Sequence, residues 1–153
     1  MFRNALSALA DLTVPGVSVS YDVDTAPDTL SRGQLPALLL LPLEIPATDS
    51  GGLFVERGEG FEAVAFSDGV RTVSYAVTHL LLVAPTASGR GLRDHLPPLI
   101  DLIDAYFGAL ATTVTLDGRL LEPARVRVEP GVFSYGGVEY YGCAFRHRWV
   151  VQI

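Results

Sequence analysis

Residues 125–153 read RVRVEPGVFSYGGVEYYGCAFRHRWVVQI, and the two adjacent glycines in the middle decide how the rest of the chain is read. Gly136-Gly137 accepts the positive φ angles of a two-residue hairpin turn, which few other dipeptides tolerate. With a turn of that length, Tyr135 faces Val138 and the pairing of both arms follows by counting. Val126 falls opposite His147, Val128 opposite Phe145 and Val132 opposite Tyr141, on an apolar face shared by Cys143 and Trp149. The other face brings Arg125 against Arg148 and Arg127 against Arg146. A bulge at Pro130 or Gly131 would rotate half of this ribbon away.

Outward from the hairpin, the periodicity alternates between strand and helix. Residues 70–83 (VRTVSYAVTHLLLV) place Val73, Tyr75, Val77, His79, Leu81 and Val83 on one face. FEAVAF (61–66) precedes them across the turn SDG, whose Asp68-Gly69 pair suits a tight hairpin. Leu96, Leu99, Ile100, Ile103, Phe107 and Leu110 predict an amphipathic helix, with Asp101 and Asp104 on its opposite side. Asp94 falls where the helix dipole favours negative charge, and Pro97 and Pro98 are tolerable only in the first turn or at a kink. APTASGRGLRDHLPP (84–98) therefore reads as a joint, made of a strand end, a flexible Gly-Arg-Gly connection and a helix start.

Nearer the N-terminus, Phe2, Ala5, Leu6, Leu9 and Leu12 share a helical face that VPG (14–16) terminates. Residues 17–23 alternate as a half-buried strand, and 36–44 (PALLLLPLE) read as a fully buried one. Residues 46–60 (PATDSGGLFVERGEG) surround Leu53, Phe54 and Val55 with glycine and acid; they read as a surface loop or as an excursion that orders against a neighbour. The sum is a single α+β domain over 1–153, a mainly antiparallel sheet with two helices packed on one face.

Composition narrows the function classes. One cysteine, Cys143, rules out an internal disulfide framework and a Cys-rich zinc site. All eleven basic residues are arginines, which fits a heat-adapted source or a GC-rich genome equally. A net charge of −6 and a pI of about 4.9 argue against nucleic-acid binding by the domain as a whole. The apolar run at 35–43 is short of the roughly 20 residues needed to span a bilayer, so no membrane partner is expected. MFRNALSALADL lacks the features of a secretory signal, which predicts a soluble, intracellular chain. Yet 49% of residues are hydrophobic and only 18% charged, a surplus that predicts surface covered by another subunit.

The arginine face needs a partner, since like charges directly across a ladder repel. Glu56, Glu62 or Asp22 on an adjacent strand, acidic groups of another subunit, or a nucleic-acid backbone would each serve. Catalytic constellations are absent from the spacing. GRG at 89–91 matches no phosphate-loop pattern, although the helix start beside Arg90 and Arg93 could hold an anion. Cys143 and His147 share a strand face but lie about 13 Å apart, too far for a nucleophile and its base. His79 and His147 fall on apolar faces as core histidines, and His95 is expected to be exposed. No cofactor or metal is expected.

The order of elements, from FRNALSALADL through LPALLLLPLE, THLLLVAP and GRGLRDHLPPLIDLIDAYFGAL to YYGCAFRHRWVVQI, resembles the tail-terminator and tail-completion proteins of long-tailed bacteriophages and related prophage elements. The likeness covers about residues 2–150 and rests on element order, without a diagnostic motif. It implies a structural virion protein without catalytic residues. Such a protein assembles as a ring, commonly a hexamer, in the host cytoplasm. In the virion it caps the tail tube and meets the head–tail connector. A ring closes through a heterologous interface, and the interface candidates are Arg125, Arg127, Arg146, Arg148, Arg90, Arg93, Leu53, Phe54 and Val55. The alternatives are a small-molecule or nucleotide-processing enzyme with its site at the 85–95 loop, using Arg90, Arg93 and His95, or a small adaptor module.

Overall fold

The computed structural model describes residues 1–44, 57–58, 62–66, 71–88 and 91–152. In chain order these form α1 (Phe2–Ala10), β1 (Val19–Tyr21), β2 (Ala37–Leu41), β3 (Leu43–Glu44), β4 (Arg57–Gly58), β5 (Glu62–Phe66), β6 (Arg71–Pro85), α2 (Leu92–Ala111), β7 (Arg125–Tyr135) and β8 (Val138–Gln152). Gly136 and Gly137 turn the last hairpin with φ of +58° and +78°. The β7–β8 ladder then runs without a bulge from Tyr135↔Val138 to Arg125↔Arg148. Residues flanking a two-residue turn exchange both backbone hydrogen bonds. Counting back by twos puts Glu129 and Gly131 in bonded positions and Pro130 in an outward-facing one. Its missing N–H therefore costs the ladder nothing and blunts the edge strand.

The main sheet has the order β1-β2-β6-β8-β7, with β5 also on β6, and only the β1–β2 pairing is parallel. The long strand β6 organises it. One edge carries β5 over Arg71–Ser74 and β2 over Thr78–Leu82, while the other pairs with β8 from Thr72 to Pro85. Odd-numbered residues Val73, Tyr75, Val77 and Leu81 point to the face that also holds Cys143, Phe145 and Trp149. Both helices cover that face, α1 through Ala5, Leu6 and Leu9, and α2 through Leu99, Leu102, Tyr106 and Leu110. The fold is α+β, as the periodicity predicts. The Asp68-Gly69 turn lies outside the described residues.

The opposite face holds a second cluster of Leu39, Leu80, Leu82, Phe133, Tyr140 and Ala144. Ala26, Leu30 and Leu35, from the connection between β1 and β2, pack against it. That connection thus crosses the face away from the helices and reaches the β7–β8 turn, where the Tyr135 hydroxyl donates to the Pro27 carbonyl. A Cβ at Gly136 would lie 2.5 Å from the Asp28 carbonyl oxygen, so contact as well as φ demands glycine there. Burial on both faces makes the β2 sequence ALLLL continuous rather than alternating.

Two expectations for α2 need correction. The helix begins at Leu92, so Pro97 and Pro98 lie inside it, beyond the first turn. They deprive the carbonyls of Arg93 and Asp94 of intrahelical donors, at residues exposed to solvent. The buried stripe is Leu99, Leu102, Tyr106 and Leu110, whereas Leu96, Ile100 and Phe107 are 40%, 50% and 40% exposed. The helix is apolar over more than one stripe, and the stripe carrying Tyr106 is the one turned inward.

Candidate functional site

The arginine ribbon forms in the expected register, Arg125↔Arg148 and Arg127↔Arg146. Among the described residues its counter-charge includes Glu129, on β7 itself, and the side chain of Glu62 lies outside them. Glu129 forms an ion pair with Arg127 at 2.8 Å and accepts from Arg146 Nε at 2.5 Å, and Arg146 also reaches the Thr78 hydroxyl at 3.4 Å. Arg125 lies 3.7 Å from Glu122, with both side chains largely in water. The Asp22 carboxylate instead accepts from Ser7 on α1. Glu129 sits two residues after Arg127, so the register itself places it on the arginine face. That signal was in the sequence. Glu56 is outside the described residues.

On the helix face, a chain of polar side chains crosses the core. The Trp149 indole N–H donates to His147 Nδ1 at 3.3 Å, and His147 Nε2 lies 2.6 Å from the Tyr106 hydroxyl. That hydroxyl lies 2.9 Å from His79 Nδ1. Indole can only donate, which fixes every step: His147 carries its proton on Nε2 and donates to Tyr106, and Tyr106 donates to His79. The His79 proton is then on Nε2, a fully buried group without a hydrogen-bond partner among the described residues. Burial holds His147 down at about 3, and burial with the nearby His147 depresses His79. Burial also raises Tyr106, and it pushes the Cys143 thiol up to about 12. The ring of Tyr106 stacks on Phe145 at 3.7 Å. Both histidines are core residues, as read from their faces, and the cluster locks α2 to β6 and β8.

The two flanks of α2 differ. Leu96, Ile100 and Phe107, with half-buried Ile103 between them, form a ridge beside the buried stripe. Phe107 meets Phe145 of β8 edge-on at 6.1 Å. The other flank looks toward α1 across an open groove of about 690 Å³. Its floor is Ala8, Leu12, Ala105, Gly108 and Ala109, with Asp11, Asp117 and Arg119 at the mouth. None of the groups with displaced pKa values lines it.

The joint at 84–98 has the expected strand end and helix start, and only Gly91 of its Gly-Arg-Gly connection is among the described residues. β6 ends at Pro85, a 3-10 turn covers Thr86–Ser88, and Gly91 precedes α2. Arg93 is exposed on the first turn, while Arg90, Leu53, Phe54 and Val55 lie outside the described residues. His95 is half-buried rather than exposed, because its ring stacks on Tyr141 at 4.9 Å. Among the described residues no group of three His, Cys, Asp or Glu could hold a metal ion, and no helix is long and apolar enough to cross a membrane. No protein-family model and no curated protein matches the chain.

Proposed function

We propose that the chain is a structural assembly protein that works as a ring of copies, in the manner of a phage tail terminator seated between the tail tube and the head connector. The observation that carries this reading is the pair of unlike surfaces on α2. A ring needs a heterologous interface, hence two different patches on each copy. A ridge of large exposed side chains and a groove lined on α2 by Ala105, Gly108 and Ala109 meet that requirement. The α+β architecture agrees with what the resemblance implies. His79, Tyr106, Cys143 and His147, whose pKa values burial displaces, are committed to the core, and the groove lies away from them, which favours an assembly role over a catalytic one.

Negative-stain images of the protein mixed with tail tubes test this reading. Rings seated on one end of the tubes, with tube lengthening halted, are the expected result. A chain that leaves tube growth and tube ends untouched, yet turns over a phosphorylated small molecule, would replace it with the enzyme reading at the 85–95 loop.

A further inference from the structure

We infer that the occupant of the groove between α1 and α2 is the α2 ridge of a second copy, so that copies join head to tail through this one contact. The inference rests on the self-assembly reading above, and supplies the surfaces that reading needs.

The shapes are complementary. At 3.6 residues per turn, positions 96, 100, 103 and 107 lie roughly half a turn of the helix from 105, 108, 109 and 112. Ridge and groove therefore face opposite ways from one helix, and the contact cannot close on itself about a two-fold axis. It must propagate into a ring or a filament. The groove floor is small, and a Cβ added at Gly108 would meet nothing within 4 Å. Leu96, Ile100 and Phe107 are the bulky exposed side chains of the ridge, and apolar rows of this kind are the usual filling for such a groove.

The charges agree as well. Arg93 precedes Leu96 by three positions and Ile100 by seven, so it stands at one end of the ridge. Asp104 lies four positions after Ile100 and three before Phe107, and borders the other end. The groove mouth offers Asp11 from the α1 side, and from the α2 side Arg119, held to Asp117 at 3.7 Å. A ridge with a cation at one end and a carboxylate at the other thus meets a mouth carrying both signs, Arg93 toward Asp11 and Asp104 toward Arg119.

Two substitutions test this because neither disturbs the single copy. Ile100→Asp removes the ridge at a half-exposed position, and Gly108→Phe fills the groove where space is open. Each variant alone is expected to run at the monomer mass of 16.4 kDa, with self-association weakened about 100-fold or more. An equimolar mixture still has one intact ridge and one intact groove, and is expected to form a pair at twice that mass. The charge reversal Arg93→Asp is expected to weaken association about tenfold. Trp149 fluorescence confirms that each variant is folded, and Phe107→Glu and Ala105→Leu repeat the experiment on independent positions. A mixture that stays monomeric, variants that assemble like the unmodified protein, or an unmodified protein that never associates would each overturn the inference. Rings that cap tubes while ignoring every one of these substitutions would leave the ring reading standing without it. Association abolished by either substitution, in a chain that never engages tubes, would do the reverse.

Discussion

At the scale of single residues, Tyr106 has the largest consequence. Its hydroxyl accepts from His147 and donates to His79, all three nearly or fully buried. Tyr106→Phe would strand both imidazole atoms in a dry core and is expected to cost about 3 kcal/mol, read as a lower urea midpoint at unchanged slope. The histidines also set an acid limb. Both folded-state values lie below the unfolded value, so between the two the unfolded chain binds more protons. Stability is full above about pH 6.5 and falls as pH drops toward the folded value of about 3 for His147. Each histidine raises the unfolding constant up to about tenfold per pH unit across that window. Trp149 fluorescence against pH should show a limb steeper than one proton, and His79→Leu should flatten it by one. The buried Cys143 thiol, raised to about 12, should resist alkylation at pH 8 unless the protein unfolds.

At the scale of elements, glycines separate what is required from what is available. A Cβ at Gly142 would fall 2.0 Å from the Leu81 carbonyl oxygen across the β6–β8 ladder, so Gly142→Ala must displace backbone. Loss of more than about 3 kcal/mol is expected. Gly108, open and helical, should behave in the opposite way, with Gly108→Ala raising stability by about 0.5–1 kcal/mol in thermal melts. The same contrast shows what could be read in advance. The β7–β8 register was legible because the glycine turn fixes its length and every pair then follows by counting. Glu129 was legible too, because two residues beyond Arg127 it shares the arginine face of β7. The orientation of α2 was not legible. Leu96, Ile100 and Phe107 compete with Leu102 and Tyr106 for the interior, and hydropathy favours the first set. The contest is settled by the hydrogen bonds that Tyr106 makes with His147 and His79 on the paired strands β8 and β6. The β1–β2 connection across the second face carries no periodic signal at all.

At the scale of the whole molecule, two facts pull against each other. Each copy carries a net charge of −6, which disfavours association at low ionic strength. Each also presents Leu96, Ile100 and Phe107 to solvent on one helix flank, at a cost that only burial relieves. Added salt should therefore strengthen self-association by screening the net repulsion, even though the rim pairs weaken slightly. The core polar chain fixes which stripe of α2 faces inward, and so leaves ridge and groove on opposite flanks. The most direct test of that account is the mass of the unmodified protein by light scattering over a wide concentration series at moderate salt. A rise from 16.4 kDa to one closed multiple that stops growing is the predicted result. A mass that remains at 16.4 kDa up to the solubility limit would contradict it.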